Sequence, residues 1–309
     1  MPPSDDKRRW PLFAAALGAC VLAALTLTAI STLAPATYSA DAAPSPSATE
    51  TSSTASPSPS VSASPEPTAS PTPTPSPTPT PATFPSAKSI RKAIAYLRTR
   101  DCDAALAVVD SSGELHGYRA DRQYTSASVV KAMLLVQYLR THKTLTSSVR
   151  STLSAMITQS DNAAAYRIHA VVGGAGLRRL ARTAGMKRFV PGTNVLYSKI
   201  TAADQARFFA QLDELVPKRH LSFARGLLEH ICARQTWGVP EIARPRWRVL
   251  FKSGWFGAAS DPFTIVNQVA RLERGQRMWT VAILTDDNPP SPYALATLRG
   301  VTRRLLGTT

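Results

Sequence analysis

The chain has 309 residues, and its 36 Lys plus Arg against 20 Asp plus Glu give a net charge of +16. Three cysteines are too few for a disulfide-stapled scaffold or a zinc ribbon. Thirteen of the 25 prolines lie in residues 41–86, so residues 87–309 remain for folding, enough for one large core and short for two domains. This region alone carries a net charge of +18, which favours anionic partners.

The amino terminus predicts the compartment. Residues 1–9 are basic, and residues 10–40 hold no charged residue. The apolar part, 11–34, is long enough for a helix to cross a hydrocarbon core of ~30 Å. With the basic residues on the cytoplasmic side, we expect a membrane anchor that leaves the rest of the chain outside the cytoplasm. Two alternatives stay open: cleavage of a signal peptide after Ala40, and lipid attachment at Cys20, whose preceding residues resemble a lipobox.

A linker follows in residues 41–86. It consists almost wholly of Ala, Ser, Thr and Pro, with Phe84 as its single aromatic residue. Such a composition cannot bury a core and predicts disorder. The repeated prolines favour polyproline II at ~3.1 Å per residue, which suits a semi-stiff spacer that holds a domain away from the membrane.

The domain at 87–309 opens with strand and helix signals. Residues 89–97 place apolar side chains at helical spacing. Residues 104–110 and 114–118 flank a Ser-Ser-Gly turn, which predicts a β-hairpin. Residues 129–139 are apolar nearly all round, so we expect a helix buried by its neighbours. An alanine-rich helical region follows to about residue 215.

Strand signals return near the carboxyl end. They lie at 248–251, 263–266 and 279–284, and residues 293–306 predict a closing helix. Early strands, central helices and late strands indicate an α+β fold. We expect an antiparallel sheet completed by both chain ends.

Ser128 and Lys131 form the first candidate for chemistry. Residues three apart share a helix face, so the Lys131 amine can lie beside the Ser128 hydroxyl. A desolvated lysine has a lowered pKa and can accept a proton, which would convert the serine into a nucleophile. The ordinary alternative is that Ser128 merely caps the buried helix.

Two further motifs support the first interpretation. Ser160-Asp161-Asn162 lies in the helical region, and Lys252-Ser253-Gly254 ends a strand signal. SxxK, SDN and K-[ST]-G in this order are the signature of class A β-lactamases and penicillin-binding proteins, and residues 87–309 resemble that superfamily of serine hydrolases. The resemblance implies a β-lactamase/transpeptidase-like fold.

The resemblance also implies roles for the polar residues. Ser128 would attack a carbonyl and form an acyl-enzyme, with Lys131 as its base. Ser160 would pass a proton to the leaving nitrogen, and Asn162 would bind the acyl side chain of the substrate.

The third motif would hold the other end of the substrate. Lys252 and Ser253 would bind the carboxylate of a β-lactam or a D-alanyl-D-alanine terminus. Lys252 is also a catalytic candidate. The backbone N–H groups of Ser128 and Trp255 would form the oxyanion hole, and Gly254 would let the strand approach the ligand closely. Trp255 would supply only its backbone donor, and its side chain would serve as a wall or as a core group.

Two departures from the family pattern point to weak turnover. Class A β-lactamases use a glutamate between SDN and KSG to activate water, yet residues 162–203, including 189–197, hold no Asp or Glu. Asp204 instead suits the first turn of a helix capped by Thr201. Only about 30 residues separate Ser128 from Ser160, which predicts a trimmed helical lobe.

The remaining residues suggest no metal or cofactor. The five histidines lack zinc-site spacing and no GxSxG elbow is present. Whether Cys102 and Cys232 form a disulfide stays open. We therefore expect an extracytoplasmic, penicillin-recognising serine hydrolase that acts on peptidoglycan-type peptides or β-lactams with poor deacylation, and no nucleic-acid partner. The alternatives are a weak or inert domain that binds anionic wall polymers, and a slow β-lactamase with an unrecognised base.

Overall fold

A computed structural model describes residues 83–258, 260–290 and 292–308. Its helices are α1 (Ala87–Arg98), α2 (Val130–Thr141), α3 (Ser147–Ser154), α4 (Asn162–Thr183), α5 (Ala202–Ala210), α6 (Leu212–Leu215), α7 (Lys218–Glu229), α8 (Val239–Ala243) and α9 (Tyr293–Leu306). Its strands are β1 (Asp103–Val109), β2 (Leu115–Tyr118), β3 (Gln123–Thr125), β4 (Lys199–Thr201), β5 (Arg248–Ala258), β6 (Asp261–Arg274) and β7 (Arg277–Asp286).

Five strands form one antiparallel sheet in the order β2-β1-β7-β6-β5. β1 from the amino-terminal part pairs with β7 from the carboxyl-terminal part, with Val108 opposite Val281. Both strands are almost continuously buried, because their apolar residues face packed layers on both sides. The predicted α+β fold with a sheet completed by both chain ends is confirmed.

Helices cover both faces of the sheet. Thr280 of β7 donates a hydrogen bond to the carbonyl of Ala206 in α5 (2.8 Å). The neighbouring Trp279 packs instead on Phe84 and Trp247, which lie outside α5. Since side chains alternate along a strand, α5 lies on one face and the aromatic cluster on the other. α9 packs on α1 and β6.

The helical lobe surrounds α2. Residues 130–139 of this helix are all buried, as predicted from their apolar character, and α4 and α7 pack against it. α4 contains a kink at Gly173 (φ 62°, ψ 167°), a backbone conformation that a glycine adopts without steric cost. The glycine-rich residues 173–176 thus join the two helical segments of α4.

A short ribbon connects the lobe to the candidate nucleophile. β3 pairs with β4, and Thr125 lies opposite Lys199. β3 runs directly into Ser126, and Ser198 directly precedes β4. The ribbon therefore holds the segment before Ser128 beside the end of the loop at 189–198.

The structure also corrects or leaves aside several sequence-based expectations. β5 and β6 are much longer than the signals at 248–251 and 263–266 indicated, because cross-strand pairing continues through polar residues. Cys102 and Cys232 are both free thiols. None of the helices within the described ranges is long and apolar enough to cross a membrane, and the predicted anchor and residues 41–82 of the predicted linker lie outside the described residues. The end of the predicted linker belongs to the domain instead, because Phe84 stacks on Trp247 and Pro85 is buried.

Candidate active site

Ser128 lies in a 3₁₀ turn, Ala127–Val129, that leads into α2. The turn begins with Ala127 at φ 46°, a left-handed conformation that is uncommon for a residue with a Cβ. Ser128 is half-buried, and within the described part of the chain its hydroxyl makes no hydrogen bond. Val129 is the N-cap residue of α2 and no side chain caps this helix, so Ser128 does not serve as its cap.

Lys131 lies one helical turn beyond Ser128 and is fully buried. Its Nζ donates to the Ser160 carbonyl (2.6 Å), to Asn162 Oδ1 (2.6 Å) and to Ser160 Oγ (3.3 Å). Burial lowers the pKa of Lys131 to about 8, although the nearby Asp161 carboxylate opposes the shift. A substantial fraction of this amine is therefore neutral in mildly alkaline solution and able to accept a proton.

The Ser160 hydroxyl lies between two lysine amines. Lys131 Nζ and Lys252 Nζ approach Ser160 Oγ to 3.3 Å and 3.1 Å. Ser160 adopts a left-handed backbone conformation (φ 59°, ψ 33°) at the junction of a π turn and α4. Asp161 then caps α4 by accepting a hydrogen bond from the Ala164 N–H (2.6 Å). The cap holds the SDN segment in place, and its serine points at both lysines.

Lys252 enters the site from the edge strand β5 and is fully buried. Besides Ser160, it donates to its neighbour's carbonyl, Ser253 O (3.0 Å), and to Gln235 Oε1 (3.3 Å). Burial and the Lys131 charge hold the pKa of Lys252 well below its ordinary value, while Cys232 acts in the opposite direction.

Two glutamines that the sequence analysis missed support this third motif. Gln235 is 2% exposed, and its Nε2 donates to Cys232 Sγ (3.1 Å) while its Oε1 accepts from Lys252. Gln268 lies directly opposite Ser253 on β6 and donates to Ser253 Oγ (2.9 Å). Ser253 is fully buried, and because its oxygen accepts this bond, its own proton remains available for a further acceptor.

Gly254 brings β5 against the nucleophile turn. A Cβ at this position would lie 2.6 Å from the Ser128 nitrogen and 2.8 Å from the Ser126 carbonyl oxygen, closer than real Cβ atoms approach. Only glycine therefore permits this contact. The next residue, Trp255, is half-buried, and its ring packs edge-on against Trp237 at 6.1 Å between centroids. Its side chain thus belongs to an aromatic cluster with Trp237 and Phe263, while Gly254 places the adjoining backbone beside Ser128.

The loop at 189–198 forms the opposite side of the site. Ser126 donates from its backbone N–H to Ser198 O (2.8 Å) and from its hydroxyl to Leu196 O (3.2 Å). The loop contains a 3₁₀ turn, Val195–Tyr197, whose start is capped by Asn194. It carries no acidic side chain that could act as a base toward Ser128.

Asp204, the first carboxylate after this loop, has a structural role. It is 1% exposed and accepts hydrogen bonds from the backbone N–H groups of Lys187 (2.8 Å) and Arg188 (2.9 Å). Thr201 caps α5 by accepting from the Asp204 N–H (3.1 Å). Both carboxylate oxygens are thus engaged by the chain that enters the loop.

One cluster of potential metal ligands occurs among the described residues. Asp110, Glu114 and His116 lie together at the β1–β2 turn. Asp110 already accepts from the Ser112 and Glu114 N–H groups and contacts His116 (2.7 Å), so the cluster closes a hairpin turn. It lies outside the group of residues around Ser128.

Comparison with known proteins agrees with this arrangement. The profile described as the beta-lactamase enzyme family matches residues 141–309, which include the SDN and KSG segments. No curated protein matches the chain.

Solved structures share the fold at low sequence identity. A beta-lactamase from Sphaerobacter thermophilus is 16% identical (TM-score 0.61) over 71% of this chain and 96% of its own. A class A beta-lactamase from Mycobacterium abscessus is 18% identical (TM-score 0.58) over 71% of this chain and 98% of its own. A class A representative from Bacteroides cellulosilyticus is 12% identical (TM-score 0.62) over 73% of this chain and 98% of its own. With more than half of its length matched by the family profile, the chain belongs to the beta-lactamase enzyme family of serine hydrolases.

Proposed function

We propose that this protein forms an acyl-enzyme through Ser128 with a β-lactam or a peptidoglycan-type peptide, and that it releases the acyl group slowly. The observation that carries the proposal is the Ser160 hydroxyl, which lies within 3.3 Å of the amines of both Lys131 and Lys252. A serine nucleophile needs a base and its leaving group needs an acid, and a hydroxyl between two lysines can pass protons in either direction.

The first step is attack by Ser128. The neutral form of Lys131 takes the hydroxyl proton as Oγ bonds to the substrate carbonyl carbon. The negative charge that develops on the carbonyl oxygen is stabilised by the backbone N–H groups of Ser128 and Trp255, which Gly254 allows to lie close together. The leaving nitrogen then receives a proton from Ser160, which regains one from the lysine network.

Substrate orientation comes from charge. Lys252 and Ser253 would donate to the carboxylate that β-lactams and D-alanyl-D-alanine termini carry, and the charge of that carboxylate would favour the protonated form of Lys252, whose pKa burial otherwise lowers. The domain's net charge of +18 adds a long-range attraction for such anions. Asn162, exposed and hydrogen-bonded to Lys131, would contact the acyl side chain.

We expect slow deacylation because the loop at 189–198 carries no acidic side chain that could activate water. Hydrolysis of an acyl-enzyme needs a base that activates water, and residues 162–203 contain no Asp or Glu. The next carboxylate, Asp204, is buried and engaged by two backbone N–H groups. The acyl group would therefore remain on Ser128 far longer than it takes to form.

We place the domain outside the cytoplasmic membrane. The uncharged residues 10–40 after a basic amino terminus support an anchor, and the proline-rich composition of the residues between them and Phe84 supports a spacer. Cleavage after Ala40 and lipid attachment at Cys20 lead to the same compartment.

The second candidate is a domain that binds anionic wall polymers without catalysis, and the net charge of +18 favours it. Incubation of the full-length protein with benzylpenicillin, followed by intact-mass spectrometry, separates the two functions. We expect a stable adduct on the wild type and none on Ser128→Ala. Absence of an adduct with intact penicillin would favour polymer binding, and hydrolysis without an adduct would reveal a base that activates water.

A further inference from the structure

Tyr197 and Phe256 form a stacked aromatic pair between the loop at 189–198 and β5, the two segments that contact the nucleophile turn. Their ring centroids are 5.0 Å apart and their planes differ by 18°. Tyr197 is 58% exposed, and Phe256 is half-buried. The two residues belong to different parts of the fold, the loop at 189–198 and the strand β5, so the stack joins the two sides of the site.

The loop side of the pair is held close to Ser128. Tyr197 lies between Leu196 and Ser198, whose carbonyls both accept hydrogen bonds from Ser126, two residues before the nucleophile. Asn194 caps the turn by accepting from the Leu196 N–H (3.1 Å). Asn194, Leu196 and Ser198 are thus tied by hydrogen bonds, and Tyr197 projects from the end of a fixed turn.

Phe256, the member of the pair on β5, faces the turn that carries Ser128. Side chains alternate along a strand, so Gly254 and Phe256 lie on one face of β5 and Trp255 on the other. The Cβ position of Gly254 points at the Ser128 nitrogen, whereas the Trp255 ring packs on Trp237. Phe256 therefore lies on the face that meets the nucleophile turn, two residues farther along the strand.

The order of residues along β5 sets the direction of a bound substrate. In the proposed function, on which this step rests, the carboxylate lies at Lys252 and Ser253 and the reacting carbonyl lies at the Trp255 N–H. The acyl substituent, on the other side of the carbonyl, must then continue toward Phe256. The stack with Tyr197 stands across that path.

We propose that the Tyr197–Phe256 pair is a specificity-determining wall that admits small acyl substituents to Ser128 and excludes bulky ones. The pair presents two aromatic rings, and a stack of two rings has little freedom to yield to a branched or polycyclic group. Access to the nucleophile is therefore limited by the volume of the acyl group rather than by its charge.

The test compares two penicillins on four full-length proteins: wild type, Tyr197→Ala, Phe256→Ala and the double variant. 6-Aminopenicillanic acid has no acyl substituent, and piperacillin has a bulky one. We expect the rate of adduct formation with piperacillin to rise about tenfold in each variant, with little change for 6-aminopenicillanic acid, since a pocket wall discriminates by size at roughly this level. Equal changes for both penicillins would overturn the proposal.

Three control variants separate a wall from general loosening of the loop. Tyr197→Phe and Phe256→Tyr keep both rings and should retain the wild-type preference for the small penicillin. Tyr166→Ala removes another exposed aromatic residue, whose hydroxyl lies 3.4 Å from Asn194 Nδ2 in the same loop, but leaves the stack intact. A gain for piperacillin in Tyr166→Ala as large as in Tyr197→Ala would contradict a specific wall.

A second measurement does not depend on acylation. In a Ser128→Cys background, a small methanethiosulfonate and a bulky pyrenyl maleimide react with the new thiol, and peptide mass separates it from the native cysteines. Removing Tyr197 or Phe256 should accelerate the bulky reagent alone. If this gain occurs while no protein is acylated by penicillin, the wall stands and the proposed function fails. If both reagents react alike in all variants, the wall is refuted.

Discussion

The two sides of the candidate site are built from different chemistry. On one side, α2, the SDN turn and β5 bring two buried lysines to one serine hydroxyl. On the other side, the loop at 189–198 contributes backbone carbonyls and aromatic rings, and its carboxylate neighbour Asp204 is used to hold the chain. Two lysine amines are therefore placed for proton transfer at the Ser160 hydroxyl, whereas the loop at 189–198 carries no acidic side chain.

Because the loop lacks an acidic side chain, membership of the family does not by itself imply that an acyl-enzyme would be hydrolysed quickly. Burial of a lysine without a carboxylate partner lowers its pKa, which creates a base at moderate pH. The loop at 189–198 is held by hydrogen bonds to the backbone, so it defines the shape of the site but supplies no general base. The variants below test each side of the site in turn, beginning with the lysines.

The largest effect is expected from Lys131→Met, which keeps the length of the side chain and removes the amine. We expect acylation by benzylpenicillin to fall by about 10³-fold, because general base catalysis contributes on the order of 10²–10⁴. Lys143→Met is the matched control, since Lys143 follows the same helix but is exposed. A loss of less than tenfold, measured as the rate of adduct formation, would assign the base elsewhere.

The pH dependence of acylation has the next largest amplitude. Burial lowers the pKa of Lys131 from 10.5 to about 8. Only the neutral amine accepts a proton, and its fraction rises about tenfold per pH unit below the pKa. The rate should therefore increase about fiftyfold from pH 6 to pH 8 and by no more than about a further twofold above. The rate of adduct formation is measured by mass spectrometry at each pH. A rate that does not change across this interval would exclude Lys131 as the base.

Gln235 tests whether the lysine side needs its buried support. Gln235→Leu removes the oxygen that accepts from Lys252 Nζ, so we expect acylation to fall about tenfold through lost positioning. Gln235→Glu keeps the acceptor and adds a charge that stabilises protonated Lys252, so it should restore the rate and change its pH profile. The other titratable groups that act on the pKa of the Lys252 amine are Lys131, which lowers it, and Cys232, which raises it.

Arg234→Ala provides the comparison for Gln235, because Arg234 is exposed on the same 3₁₀ turn, Ala233–Gln235. It should leave the rate and its pH profile unchanged. If Gln235→Leu and Gln235→Glu lose the same activity at every pH, Gln235 contributes only to packing.

The sequence could predict the lysine side but only part of the loop side. Ser128, Lys131, Ser160 and Lys252 belong to motifs whose spacing carries chemical information, and the apolar periods located the sheet and α2. Gln268 carries no local signal, because strand pairing alone places it opposite Ser253. A hydrogen-bond partner that lies on a neighbouring strand cannot be identified from the local sequence pattern.

The loop illustrates the same limit more strongly. The absence of acidic residues could be read directly, whereas the stack of Tyr197 on Phe256 joins residues 59 positions apart and depends on where β5 ends. The strand signals ended early because residues beyond Phe251 include Lys, Ser and Gly, which pair for tertiary reasons. Likewise, Cys102 and Cys232 offered no geometric information, and both are free.

The smallest effect is expected on the loop side, at Asp204. Asp204→Asn replaces one accepting oxygen by an amino group that would face the N–H of Lys187 or Arg188, and leaves a buried donor unsatisfied. We expect the free energy of unfolding to fall by about 2 kcal/mol in urea titrations. Asp121→Asn, at an exposed position, should cost nearly nothing. Because Asp204 anchors the loop and takes no part in proton transfer, acylation by benzylpenicillin should remain near the wild-type rate. A large loss of acylation with unchanged stability would instead place this carboxylate in the chemistry and remove the contrast between the two sides.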